Sequence, residues 1–248
     1  MSTCAIIPAA GRGSRLGMPI PKILVPIAKE KTIWTILYEL FSPHVDQIHV
    51  VLAESAVKEF QAQLPPGKKK KTTMSVQPTP LGMGDAIFGA YEYWSKCSQI
   101  TVVWGDQVNL SEPTVGSVVR ACKSERTLTL PLTLTENPYV QYDLVDNRLI
   151  GVRQTREGDM TDTVGLSDVG LFGLSVPELL PAWQDYLKQG AMGVSTGEIN
   201  FLPFLTYLSS VRSWQIEKLM VADAAEARGV NTLEDLEFAK ARHTIRIP

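Results

Sequence analysis

The sequence predicts an α/β protein built on a mainly parallel, doubly wound sheet. Three observations lead there. The chain opens on a short apolar run ending in glycine, which reads as a buried strand. Apolar runs and helical stretches then alternate over residues 1–125. The helical stretches place their apolar residues at i, i+3, i+4 and i+7, the spacing of one helix face.

Taken in order, "TCAIIPAA" (3–10) is the first strand, and "TIWTILYELF" carries Ile33, Ile36, Leu37 and Leu40 in helical phase. "QIHVVLA" (47–53) is the second strand, followed by a helix over 54–64 with Val57, Phe60 and Leu64 on one side. "TTMSVQP" (72–78) is the third, followed by a helix over 84–94. "QITVVWGD" (99–106) is the fourth, and Ser111 caps a helix that tolerates Pro113 in its first turn. Beyond that point the alternation loosens. "RTLTLPLTLT" (126–135) is a strand whose Pro131 demands an edge or a bulge. A hairpin turns at Asp146-Asn147, a glycine-rich strand covers 164–176, and helices are expected over 177–187 and 197–211. A last strand spans 213–222, and Thr232 with Asp235 starts the final helix. No linker, repeat or low-complexity tract interrupts the chain. The expectation is one domain over 1–248, its first half (about 1–125) binding one ligand and its irregular second half (about 126–248) another.

Composition narrows the class. At 248 residues, 44% hydrophobic and 20% charged, the chain reads as an ordinary globular protein with a sizeable core. A net charge of -2 argues against a general nucleic-acid binder, which needs a broad basic face. Cys4, Cys97 and Cys122 lie far apart without metal-ligand spacing and suit a reducing cytoplasm. The opening residues do not lead one to expect a signal peptide, and no apolar stretch is long enough to predict a membrane span. A homo-oligomer is compatible with the sequence, which does not fix one.

In open α/β sheets ligands bind at the carboxyl ends of the strands, and "AAGRGSRLGMPIPK" (9–22) leaves the first strand at that end. It is not a P-loop, since no Gly-Lys-Ser/Thr follows. It also departs from the dinucleotide fingerprint, because Leu16 stands where a third glycine belongs. Pro19 and Pro21 forbid a helix directly after Gly13, which leaves a longer, open loop. Bare amides at Gly11 and Gly13 approach phosphate oxygens, with Arg12, Arg15 and Lys22 supplying charge and Pro21 stiffening the delivery of Lys22. A tight surface turn with solvated cations is the competing reading of the same residues.

"PAAGRGSRLGMPIPKILVPI" closely resembles the signature that opens the nucleoside-diphosphate-sugar pyrophosphorylases, which are nucleotidyltransferases of Rossmann-like fold. Three further stretches resemble that family's motifs in order: "QPTPLGMGDA" (77–86), "VVWGD" (102–106) and "GVNT" (229–232). Together they cover nearly the whole chain, with the strongest likeness to the uridylyltransferase domain that makes UDP-N-acetylglucosamine. The hexapeptide repeats of its two-domain members do not appear, so a single reaction is expected.

The resemblance implies a Mg²⁺-dependent transfer in which a sugar 1-phosphate oxygen attacks the α-phosphorus of a nucleoside triphosphate, most simply UTP, and pyrophosphate leaves. It implies Arg15 and Lys22 as the catalytic cations, Ala9, Ala10, Gly11, Arg12 and Gly13 around the nucleotide, and Asp106 with Asn231 on the metal. Gln77 would pair with a pyrimidine edge, Gly82 would let the base approach, and Met83 would pack on it. Turn chemistry and helix-start packing are the plainer readings of Asp106, Asn231 and Met83 taken singly. On the acceptor side the resemblance points to Tyr142, Gln154, Asp168 and Glu198. Three of these depart from the uridylyltransferases: Tyr142 stands at a glycine, Gln154 at a glutamate and Asp168 at an asparagine. The substrates expected are therefore small molecules, with neither nucleic acid nor membrane as partner. A cytidylyltransferase for a polyol or amino-alcohol phosphate, and a catalytically silent nucleotide-binding subunit, stand beside this reading.

Overall fold

The computed structural model describes residues 2–11, 16–64, 67, 71–122, 125–190 and 192–245. Strand β1 (Thr3–Ala9) leads through a small hairpin, β2 (Pro26–Ala28) and β3 (Lys31–Thr32), to helix α1 (Ile33–Phe41). Then follow β4 (Gln47–Leu52), α2 (Val57–Ala62), β5 (Thr72–Val76), α3 (Met83–Gly89), α4 (Tyr91–Trp94), β6 (Gln99–Val103) and α5 (Glu112–Ala121). β4 pairs with β1 and β5, and β1 with β6, all in parallel. The period-two alternation of β1 explains why helices must cover both faces. Ala5 and Ile7 pack with Trp34, Phe41 and Phe60 on one side, while Cys4 and Ile6 pack with Trp94, Phe172 and Phe204 on the other.

The second half adds β7 (Thr127–Glu136), the hairpin β8 (Val140–Val145) and β9 (Arg148–Gln154), then β10 (Val164–Asp168) and β11 (Leu171–Ser175). Helices α6 (Leu179–Leu187) and α7 (Leu202–Ser210), strand β12 (Gln215–Met220) and helix α8 (Leu233–Ile245) complete it. The large sheet runs β10-β7-β11-β6-β1-β4-β5, with β12 paired parallel to β7. Only β10 and β11 oppose their neighbours, which makes the sheet mainly parallel as expected.

Local chemistry explains the element ends. Thr32 and Thr35 exchange capping bonds at α1, and Ser111 accepts from the Thr114 amide at α5. Thr232 and Asp235 do the same at α8. Asp146 and Asn147 both take positive φ, 49° and 59°, as a two-residue hairpin turn requires.

One expectation is met in its second form and one needs correction. Pro131, expected at an edge or a bulge, is not on an edge strand: β7 is flanked by β12 on one side and β10/β11 on the other. The bulge it demands is in the partner, where residues 169–172 lie across from residues 130–131 as pairing passes from β10 to β11. That bulge leaves Asp168 at the end of β10. The helix expected over 197–211 begins only at Leu202. Gly197 is left-handed at φ 65°, and the Ile199 backbone spends both its polar groups outside any helix, so 197–201 is a connection.

Candidate active site

A cleft of about 600 Å³ opens at the carboxyl ends of the central strands. Ala9, Ala10 and Gly11 lead out of β1 into its wall, Gln77 follows β5 directly, and Trp104, Gly105 and Asp106 leave the end of β6.

Lys22 is delivered as the sequence suggests. Pro21 holds an extended backbone (φ −54°, ψ 133°) before a single 3-10 turn, whose Ile23 and Leu24 are buried and anchor it. The Lys22 Nζ then donates to Asp106 Oδ2 at 2.6 Å and to Asn231 Oδ1 at 3.0 Å. Three segments, 84 and 209 residues from Lys22 in sequence, thus meet at one point. Asp106 is held by its own carbonyl, which accepts from the Val230 amide at 3.0 Å. A Cβ on Gly229 would stand 2.9 Å from Asp106 Oδ1, so the close approach of this connecting segment needs glycine. Asp235 bonds the Asn231 amide at 3.1 Å and also holds the Arg228 Nε at 2.7 Å, fixing the turn that presents Asn231.

Of the residues expected at the base, Gln77, Gly82 and Met83 all line the cleft. Gln77 Nε2 donates to Asp85 Oδ2 at 2.7 Å and to Gly82 O at 3.1 Å. Both partners are acceptors, so the amide orientation is forced and Oε1 is the group without a partner among the described residues. Gly82 sits at φ 116°, and a Cβ there would lie 2.8 Å from Ile199 O.

Of the residues expected to meet an acceptor, Gln154, Asp168 and Glu198 line the cleft, but Tyr142 does not. Tyr142 is buried behind them, with its hydroxyl beside the Asp168 carboxyl. Burial and the neighbouring Asp168 carboxyl drive its pKa well above the ordinary tyrosine value. Burial likewise raises Asp168, with the Asp106 charge adding to it. The Gly170 amide, bonded to Asp168 Oδ1 at 2.6 Å, works against that rise. Arg12, Gly13 and Arg15 lie outside the described residues.

Sequence reasoning missed Arg156, Arg228 and Trp104, which also line the cleft. Arg156 Nη2 donates to Glu198 Oε2 at 2.9 Å and to Asn200 Oδ1 at 2.5 Å. Its position two residues past Gln154 was the one available signal; the partners lie 42 and 44 residues away and gave none.

The donors at Asp106 and Asn231 also bear on a metal. Among the described residues no cluster of three or more His, Cys, Asp or Glu is placed to hold one. A carboxylate and an amide oxygen that already converge on one ammonium do fit a hard divalent cation. Mg²⁺ commonly takes one or two protein carboxylates and completes its shell with phosphates and water.

Comparison with known proteins decides the family. A model of the MobA-like NTP transferase domain matches residues 5–159. The chain belongs to the MobA-like NTP transferase family. The bifunctional protein GlmU of Clostridium perfringens (strain SM101 / Type A) is 23% identical over 247 residues, covering 95% of this chain and 51% of the relative. GlmU of Desulfitobacterium hafniense (strain DSM 10664 / DCB-2) is 25% identical over 240 residues, with the same coverage of 95% and 51%. The chain therefore spans about half the length of the curated relatives it matches. A crystal structure of a Bacillus anthracis protein, assigned as a glucose-1-phosphate thymidylyltransferase and solved with sucrose, superposes with a TM-score of 0.74 at 16% identity. It covers 97% of this chain and 95% of that one, and at this identity shares the fold. The nucleotidyltransferase resemblance carried by the four motifs is borne out. No helix among the described residues is long and apolar enough to cross a membrane.

Proposed function

We propose that the cleft transfers a nucleotidyl group from a nucleoside triphosphate, with UTP preferred, to a sugar 1-phosphate, releasing pyrophosphate and a nucleotide sugar. The observation that carries this is the meeting of Lys22, Asp106 and Asn231 at the carboxyl ends of the strands. An acceptor phosphate oxygen forms a bond to the α-phosphorus while the bond to the bridging oxygen of pyrophosphate breaks. The attacking oxygen is already ionised near neutral pH, so the protein needs to supply position and positive charge more than a base. Lys22 serves the α-phosphate and the incoming phosphate. Arg15 serves the departing pyrophosphate, with the Gly11 and Gly13 amides lining the triphosphate.

Asp106 and Asn231 would hold Mg²⁺, which when bound neutralises phosphate charge. Gln77, with Oε1 free, accepts from a donor on the base edge, and the N3–H of uracil fits. Gln154, Asp168 and Glu198 meet acceptor hydroxyls, beside the charge of Arg156. The substrates are small molecules handled by a cytoplasmic enzyme, with the nucleotide bound by the first half of the chain and the acceptor by the second.

A second reading has one observation in its favour: the free Gln77 Oε1 also accepts from the amino group of cytosine, which keeps a cytidylyltransferase for a non-sugar phosphate open. Pyrophosphate release measured for four nucleoside triphosphates against sugar and alcohol phosphates, with and without Mg²⁺, separates the readings. Release with UTP and a sugar 1-phosphate, dependent on the metal, is expected. Turnover confined to CTP with an alcohol phosphate would replace the first reading with the second. Tight nucleotide binding without turnover would mark a silent subunit.

A further inference from the structure

Glu157 is outside the cleft lining, and its carboxylate accepts four hydrogen bonds, all from one segment of the chain. Its Oε2 accepts from the Ser195 amide at 3.0 Å and the Thr196 amide at 3.4 Å. Its Oε1 accepts from Thr196 Oγ1 at 2.7 Å and Asn200 Nδ2 at 2.8 Å, and its carbonyl accepts from Ser195 Oγ at 3.0 Å. Segment 193–200 thus wraps a single carboxylate. Gly193 permits the wrap: a Cβ there would stand 2.5 Å from both Glu157 Oε1 and Asn200 Nδ2. Burial by itself would raise the Glu157 pKa, but the bonds from Thr196, Asn200 and the two amides outweigh it and hold the acid at about 2.

The wrapped segment has two further attachments. Glu198 and Asn200 both bond Arg156 on the acceptor side. Ile199 bonds the base side through its backbone: its amide donates to Leu81 O at 2.7 Å, and its carbonyl accepts from the Gly84 amide at 3.1 Å. Between those two anchors lies Gly82, whose carbonyl holds the Gln77 amide. One loop therefore touches both substrate pockets, and one carboxylate holds the loop.

We propose that Glu157 is a positioning residue that sets the acceptor pocket and the base-reading turn 81–84 together, through segment 193–200. The naming of the two pockets rests on the functional reading above; the mechanical link does not. Glu157→Gln is the discriminating variant. It keeps the shape, but one side-chain acceptor becomes a donor. Turned one way it faces the Ser195 and Thr196 amides; turned the other it faces the Asn200 amide nitrogen and retains the Thr196 hydroxyl as its one acceptor.

Residue-resolved hydrogen exchange on the free protein tests the link. The Ile199 and Gly84 amides are expected to exchange about tenfold faster in Glu157→Gln, the scale of one hydrogen bond to a charged group, with β1 and β6 unchanged. Nucleotide affinity, measured without acceptor, is expected to weaken by a similar factor although Glu157 lines no part of the cleft. In turnover both KM values are expected to rise more than kcat falls. Gly193→Ala, which crowds the same carboxylate from the loop side, should reproduce the pattern and stands in if Glu157→Gln fails to fold. Faster exchange confined to 193–200, with Gly84 and nucleotide affinity unaltered, would overturn the proposal. So would uniform acceleration that includes β1 and β6, since that reports general loosening. If the unaltered protein binds no nucleoside triphosphate, the functional reading fails, and the exchange at Gly84 still decides the role of Glu157.

Discussion

The two sides of the cleft are made differently. On the side proposed for phosphate and base, Ala9 ends β1, Gln77 follows β5, and Asp106 lies three residues past β6. These residues inherit their positions from a parallel ladder buried on both faces, among the stiffest parts of an α/β fold. On the proposed acceptor side, Asp168 depends on a strand bulge and Glu198 on a connection held by side chains drawn from other segments. The first half is positioned by backbone pairing and the second by polar side-chain bonds. Substitutions on the two sides should accordingly fail in different ways, the first in chemistry and the second in substrate fit.

The largest expected effect tests the chemical side. Lys22→Ala removes the one described cation that meets both Asp106 and Asn231. Turnover should fall by at least about a hundredfold, the usual scale for losing one charge contact to a transition state. Because the anchoring Ile23 and Leu24 are untouched, thermal stability should change little. Steady-state kinetics beside a melting curve checks both; a near-normal kcat would remove Lys22 from the reaction.

This contrast also explains what was legible in the sequence. Lys22, Gln77, Asp106 and Asn231 stand beside local signals: an apolar strand, a glycine, a proline or a helix cap. Each signal survives in one dimension because the parallel ladder turns local order into spatial order. The seam between the two sides has no such record. Nothing around Arg156 or Glu157 announces partners some 40 residues downstream, and Tyr142 could not be told from a cleft residue, since its burial depends on β8 packing beneath β10. The misplaced start of α7 has the same origin. Residues 197–201 carry a passable helical pattern, and only the bonds of Ile199 to Leu81 and Gly84 take them out of a helix.

Gly82→Ala should produce a middle-sized effect, since it falls on the seam itself. Its φ of 116° is outside what an L side chain readily takes, and the added methyl would meet Ile199 O at 2.8 Å and Ile199 N at 2.9 Å. A cost of about 1–3 kcal/mol is expected from backbone strain alone. At about 2–4 °C per kcal/mol for a chain of this size, a fall in Tm is readily measured. Nucleotide affinity and acceptor KM should worsen together, because the turn and the loop are displaced as one. A loss confined to the nucleotide would mean that the two sides move independently.

The smallest expected effect is at Tyr142, and it sharpens the contrast from the acceptor side. The hydroxyl is buried beside the Asp168 carboxyl, and one such contact has a small net worth, so Tyr142→Phe should change stability by no more than about 1.5 kcal/mol. The ring, which fills the space under β10, is retained. Because Tyr142 does not line the cleft, the acceptor KM should not change. Its one route to the substrate is Asp168, whose carboxyl it neighbours. If the variant keeps its Tm but loses acceptor affinity, the hydroxyl must act through that carboxyl. The acceptor pocket would then extend one layer deeper than its lining, making the second side of the cleft even more dependent on polar side chains than its visible bonds indicate.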